Sequence, residues 1–341
     1  MNRHPPDTPI EFNHYQAYNK PTTPYNNSTT ALQQLYNNST TALQQPYNSP
    51  TSALQQPYNS PTTALQRMNH AQLSKKIIER QSFLCVGLDT DPLRLPEGMN
   101  TGPKDVLRFN RDIIEATQAY AAAYKINIAF YEAMGPQGWE VLQETLKYIP
   151  RGILTIADAK RGDIGNTAEQ YARAFFEQMN FDAITLNAYM GRDAVAPFLA
   201  YRDKWAIVLA LTSNPGAADF QYRTDQQGIP LYLAMAREAA QWGSVDQIML
   251  VAGANRTAEL TTLREALPHH YFLIPGVGAQ GGSLAEVYAS AGTHTGPCML
   301  VNASRSILYA SSGPDYAQRA GEEALRLQTE MAGLLKPDEA G

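Results

Sequence analysis

The chain has 341 residues, 44% of them hydrophobic and 17% charged, with a formal net charge of −5. That composition is ordinary for a globular protein and the length suits one large α/β domain or two average ones. The acidic balance and the lack of any Lys/Arg block argue against a nucleic-acid binder. No apolar run approaches the roughly 18 residues that would read as a membrane span, and the polar amino-terminal stretch does not read as a secretory signal.

In chain order, residues 25–66 repeat with a period of 11, as in YNNSTTALQQL, YNNSTTALQQP and YNSPTSALQQP. Each copy offers one Leu and one Tyr for burial, too little to offset the entropy of ordering, so residues 1–67 are expected to form a disordered low-complexity tail. MNHAQLSKKIIERQ, from Met68, reads as the first helix of a compact domain spanning 68–341, and Met68 itself as an alternative start. The tail is expected to be dispensable for activity.

From Phe83 onward, short apolar β-rich runs alternate with helical patterns: FLCVGL (83–88), AAYKINIAF (122–130), GILTIAD (152–158), AITLNAY (183–189), AIVLALT (206–212), IMLVAG (248–253), YFLIPGV (271–277) and CMLVNA (298–303). Val106, Leu107, Ile113, Ile114 and Thr117 recur at helical spacing after the first run, and Ala320, Ala324, Leu325 and Leu327 after the last. Near-continuous apolar strands are those covered on both faces. Eight strand–helix units in one domain predict a (β/α)8 TIM barrel, with a doubly wound sheet as the alternative. Cys85 and Cys298 sit inside two of these runs and read as reduced core thiols of a cytoplasmic protein. No Cys-x-x-Cys or His-x-His spacing suggests a metal site, and His269-His270 reads as a loop pair.

A barrel carries its chemistry at the carboxyl ends of its strands. Asp89 ends the first, Lys125 and Asn127 lie two apart on the second, and Asp158 and Lys160 end the third. Asn187 is on the fourth, Thr212-Ser213-Asn214 end the fifth, and Ser304-Arg305-Ser306 follow the eighth. GVGAQG after the seventh strand matches G-x-G-x-x-G, but a dinucleotide site would need it after the first. In a barrel the loops after strands seven and eight commonly hold a phosphate. Glycines let backbone N–H groups approach the oxygens, and Arg305 adds a charge-assisted clamp. The expected substrate is a phosphate monoester.

DAKRGDIGNTA, with KINIAFYE before it and LTSNPG, PGVGAQGG and NASRSI after it, resembles orotidine 5'-phosphate decarboxylase, in the spelling of its type 2 branch. The resemblance runs from about Ala71 to the carboxyl terminus. It implies a lyase that converts orotidine 5'-phosphate to UMP and CO2, the last step of de novo pyrimidine synthesis, with no metal or organic cofactor. It also implies a homodimer with shared sites. Lys125, Asp158 and Lys160 would come from one subunit, and Asp163, with Ile164 and Thr167, from the neighbour. Asp89, helped by Lys125, would hold the ribose hydroxyls, Ser213 the pyrimidine, and Gln280 and Arg305 the phosphate, with Gly278 and Ser304 also at the substrate, while Asn127 and Asn187 would line the site. Decarboxylation leaves charge at C6 of the pyrimidine. A lysine ammonium beside C6, Lys160, would stabilise that charge and then supply the proton, and flanking carboxylates would keep it charged. The alternatives are a Mg2+-dependent sugar-phosphate lyase or decarboxylase of the same superfamily, which would want an extra acid near the end of strand two such as Glu132, a Schiff-base aldolase, and a non-catalytic nucleotide-binding scaffold.

Overall fold

A computed structural model of the chain describes residues 68–277, 283–293 and 296–335. The expectations placed on the repeat tail and on Gly278 and Gln280 lie outside the described residues.

The helix expected after Met68 forms as α1, His70–Arg80. It opens with a capping box: the Asn69 side chain accepts from Gln72 N, and the Gln72 side chain accepts from Asn69 N. Leu73 and Ile77, four residues apart, are its buried stripe. Trp205 Nε1 donates to the Met68 carbonyl, tying this segment to the body.

Eight parallel strands follow: β1 Leu84–Gly87, β2 Ala123–Asn127, β3 Leu154–Arg161, β4 Ala183–Leu186, β5 Trp205–Leu211, β6 Ile248–Ala252, β7 Tyr271–Pro275 and β8 Met299–Ala303. Each pairs with the next, and β8 returns to β1 through Leu84–Val301, Cys85–Asn302 and Val86–Ala303, so the sheet closes and leaves no edge. The helices α2 Pro103–Thr117, α3 Pro136–Tyr148, α4 Gly165–Ala172, α5 Leu231–Ala240, α6 Thr257–Ala266, α7 Leu284–Ala291 and α8 Tyr316–Leu335 alternate with the strands, and a single turn, Ala196–Leu199, serves between β4 and β5. This is the (β/α)8 barrel predicted from the apolar runs. β1, β4, β6 and β8 are buried at every position, because one face meets the barrel interior and the other meets helices. Cys85 and Cys298 are buried free thiols. No helix among the described residues is long and apolar enough to cross a membrane.

Two strand ends differ from the sequence reading. β2 stops at Asn127 instead of running to Phe130. The Asn127 side chain accepts from Ala129 N and caps a short helix, Ile128–Glu132. β3 runs past Asp158 to Arg161, through an irregularity: it pairs Ala157 with Ile184 and Arg161 with Leu186, advancing four residues while β4 advances two. The surplus is accommodated as a bulge, and Lys160 within it has a left-handed backbone, φ +48°.

At the amino-terminal ends of β7 and β8 lies a buried arginine. Arg264, 7% exposed, donates to the carbonyls of Ala291 (2.7 Å), Leu267 (3.0 Å), His270 (2.8 Å) and Cys298 (2.8 Å), and its guanidinium lies 3.9 Å over the Phe272 ring. The carbonyls at the ends of α6 and α7 take the place of a carboxylate. Beside it, burial and then the Arg264 charge push His270 down to about 4, and His270 Nε2 is buried without a partner. A histidine held neutral in the fold but titrating near 6.5 when unfolded contributes its full stability above that value and loses it as pH falls toward 4. The denaturation midpoint is therefore expected to fall between pH 6.5 and 4, and His270→Asn to flatten that slope, as chemical denaturation at the two pH values would show. An unchanged slope would assign the acid sensitivity elsewhere.

Candidate active site

At the carboxyl ends of β1 to β3 the charged residues meet. Lys125 Nζ donates to Asp89 Oδ1 at 2.9 Å and to Asp158 Oδ2 at 3.0 Å, and Lys160 Nζ donates to Asp158 Oδ1 at 2.6 Å. The Lys125 side chain is 5% exposed, whereas that of Lys160 is 51% exposed. A buried ammonium keeps its proton only when carboxylates outweigh its desolvation. For Lys125 they do: burial acts to lower its pKa, but the charges of Asp89 and Asp158 raise it above the ordinary lysine value. The converse holds at Asp158. Burial would raise its carboxyl, and Lys125 and Lys160 together hold it at about 2.

The network continues toward β8. Ser304 Oγ donates to Asp89 Oδ2 at 2.8 Å, and Asn302 Nδ2 donates to Ser304 Oγ at 3.2 Å. This approach requires a glycine on β1: a Cβ on Gly87 would stand 1.8 Å from Ser304 Oγ. Ser304 therefore fixes Asp89. The Asn302 Oδ1, on a side chain 7% exposed, is buried without a partner on the pocket wall.

The pocket above this network has a volume of about 310 Å3. Asp89, Lys125 and Asp158 wall one part. Pro275, Gly276, Val277, Ser304 and Arg305 wall another, at the ends of β7 and β8. Arg305 makes no ion pair with the described residues and is exposed at the pocket rim, so its charge is open to an anion. A second guanidinium, Arg94, lies 3.7 Å over the Tyr309 ring and also lines the pocket. Tyr309 OH in turn accepts from Asp91 N at 2.9 Å. A pocket walled by a buried ion network and by two guanidinium groups, Arg94 and Arg305, suits a ligand with a phosphate and a second, chemically distinct head.

Residues 82–320, which contain every strand of the barrel, match the family model described as Orotidine 5'-phosphate decarboxylase / HUMPS family. The chain belongs to the orotidine 5'-phosphate decarboxylase / HUMPS family. The orotidine 5'-phosphate decarboxylase of Phocaeicola vulgatus is 44% identical over 271 residues, 79% of this chain and 99% of that protein. That of Flavobacterium johnsoniae is 46% identical, over 79% of this chain and 98% of the relative. Among solved structures, the OMP decarboxylase of Leishmania donovani superposes with a TM-score of 0.66 at 36% identity, covering 77% of this chain and 99% of that one.

Of the residues that the family resemblance singles out, Asp89, Lys125, Asp158 and Lys160 form one hydrogen-bonded set within a single chain, and Ser304 and Arg305 line the same pocket. Asp163, Ile164 and Thr167 do not join it. The Asp163 carboxylate accepts from Ile164 N at 2.8 Å, no cationic side chain among the described residues pairs with it, and Ile164 and Thr167 are exposed. Ser213 follows β5, packed against Gly253, where an added Cβ would come within 3.0 Å of Ser213 N. Asn255 Nδ2 donates to the Ser213 carbonyl at 3.4 Å. Asn127 caps the helix after β2, and the Asn187 side chain accepts from Tyr189 N, so each organises its own loop.

Sequence reasoning missed the supports. Arg161 pairs with Glu132, donates to the Ala159 carbonyl at 2.9 Å and lies 5.3 Å and 5.5 Å from the Tyr171 and Phe175 ring centroids. It thereby locks the bulge of β3 to the helix after β2. Gly162 lets the two neighbouring loops touch, since a Cβ there would come within 2.8 Å of the Asn187 carbonyl. Thr185 was also missed: it donates to Asp158 and accepts from Lys160 N. Alternation along AITLNA marks it as a strand position, and nothing local marks its hydroxyl.

Proposed function

We propose that this protein decarboxylates orotidine 5'-phosphate to UMP and CO2, closing UMP synthesis, with Lys160 as the proton donor. The observation that carries this reading is the ion network at the tips of β1 to β3 in a chain of this family. The C6–carboxylate bond breaks, the electron pair stays on C6, and a proton from Lys160 Nζ replaces the departing CO2. Lys160 then regains a proton from solvent, which its half-exposed ammonium can meet. The fixed positive charge stabilises the developing carbanion before the transfer. Binding energy from the phosphate, held by Arg305, helps to order the site.

The magnesium-dependent alternative is disfavoured by two contacts. Glu132, the extra acid near strand two, is engaged by Arg161. The space between Asp89 and Asp158 already holds the ammonium of Lys125. Turnover is accordingly expected without a metal. A homodimer is part of the same reading. Among the described residues no cation pairs with the Asp163 carboxylate, and Ile164, Tyr189 and Met190, on this loop and the neighbouring one, stand exposed, Tyr189 to 86%. Asp163 of one subunit would then complete the array of the other. Buried free thiols accord with a cytoplasmic enzyme. The curated relatives match over nearly their whole length while leaving about a fifth of this chain unmatched, which supports a dispensable amino-terminal tail.

The test follows UMP formation from orotidine 5'-phosphate with EDTA present, using the full chain and residues 68–341. Turnover in both is expected; none from folded full-length dimer would overturn the assignment. Mixing Lys160→Ala with Asp163→Asn subunits tests the shared site. Random pairing should restore up to about a quarter of the parental sites, because half the dimers are mixed and each holds one intact site. No recovery on mixing would place both residues in one subunit's site.

A further inference from the structure

Thr185 is 1% exposed in β4, among apolar neighbours. Its Oγ1 accepts from Lys160 N at 2.9 Å and stands 3.1 Å from Asp158 Oδ1. The direction of both bonds is fixed by chemistry. An amide N–H only donates, so the hydroxyl oxygen accepts there, and its single proton is left for the carboxylate. One side chain thus grips the bulge of β3 at Asp158 and again at Lys160. Within that bulge Lys160 has φ +48°, a left-handed conformation that a residue with a Cβ adopts at a cost and keeps only where its surroundings impose it. Valine would fill the same volume in a buried strand and would satisfy neither group.

We propose that Thr185 is a positioning residue for decarboxylation, its hydroxyl holding Lys160 in the left-handed conformation that presents the ammonium beside Asp158 and the reacting carbon. The inference rests on the decarboxylase reading and deepens it. Without the hydroxyl, Lys160 N–H loses its acceptor, Asp158 loses one donor, and the bulge is free to relax toward ordinary strand geometry. The ammonium then spends less time where the proton is needed. Arg305 and the rest of the phosphate end are untouched, so binding is preserved while the chemical step slows.

The experiment compares kcat and KM for UMP formation in the parent, Thr185→Val, Thr185→Ala and Thr185→Ser, with melting temperatures taken alongside. Val and Ala are expected to lower kcat by about 10- to 100-fold with KM within about 3-fold, as displacement of a reacting group by a fraction of an ångström does. Ser, which keeps the hydroxyl, is expected to stay within about 3-fold of the parent. If Val does not fold, the Ala–Ser pair decides in the same way. A folded hydroxyl-less variant with parental kcat, or Ser as slow as Val, would overturn the proposal. A crystal structure of Thr185→Val in which Lys160 keeps its left-handed backbone would also overturn it, independently of turnover. Failure of the parent to release CO2 would instead sink the decarboxylase reading.

Discussion

Replacing Lys160 by alanine is expected to lower kcat for UMP formation by at least about 10^4-fold. On the proposed mechanism two separate contributions would vanish with the ammonium: the charge that stabilises the carbanion, worth about 10^2- to 10^3-fold for a single preorganised donor, and the proton donor itself, worth about 10^2- to 10^4-fold. The fold should survive. Lys160 is half exposed, and its removal leaves Asp158 still bonded to Lys125 and Thr185. The expected pattern is a near-parental melting temperature with UMP affinity largely retained and chemistry abolished. A Lys160→Ala protein within about 100-fold of parental kcat would remove this residue from the proton-delivery role.

Lys125→Met has the opposite signature, because it strikes fold and chemistry together. The lysine lies between two carboxylates that its own charge keeps compatible with burial. Breaking a buried pair by removing one partner typically costs about 3–5 kcal/mol, which for a barrel of this size lowers the melting temperature by on the order of 10 °C. Asp158 keeps its burial but loses one of its two cations, so its carboxyl, at about 2 in the parent, rises. Its stability contribution, present above the unfolded value and lost as pH falls through the folded one, is then lost at a higher pH. Activity should fall by about 10^3-fold or more as the array that orders Lys160 loosens. Adding Asp89→Asn to Lys125→Met relieves one uncompensated charge and should restore about 0.5–3 kcal/mol of stability without restoring turnover. If the double variant is no more stable than the single one, the cost of Lys125→Met lies in packing, not in stranded charge.

Much of this was legible in the sequence because the barrel imposes a simple pattern. Runs such as FLCVGL and IMLVAG are apolar at successive positions, as strands covered on both faces are, and their regular alternation with helical patterns marks them as strands. Charges at the ends of such runs, Asp89, Lys125, Asp158 and Lys160, then stand out as strand-tip residues. Local pattern failed where two structures share one composition. INIAF continues β2 by hydrophobicity alone, and only the capping side chain of Asn127 distinguishes the short helix that forms. It failed again at Asp-Ala-Lys-Arg, where β3 continues through charged residues because its pairing with β4 resumes beyond a bulge. The supports of the site were hidden for a different reason. Arg161 reads as a surface charge until Glu132, 29 residues earlier, comes beside it. Thr185 reads as β-branched strand filler until the bulge of β3 folds onto it. Both depend on contacts made only after the sheet closes.

Arg264, buried under β7 and β8, bears on how such a protein can change over generations. Its bonds to the Ala291, Leu267, His270 and Cys298 carbonyls set the starting points of these two strands from the end remote from the chemistry. The heights of Pro275 and Ala303, the last residues of these strands, follow from that anchor. In a barrel, loops after the strands can change in sequence while the strands that carry them stay aligned. A lineage can rewrite them to accept a different ligand without finding the strand alignment anew, whereas a change at Arg264 shifts the platform on which every such variant depends.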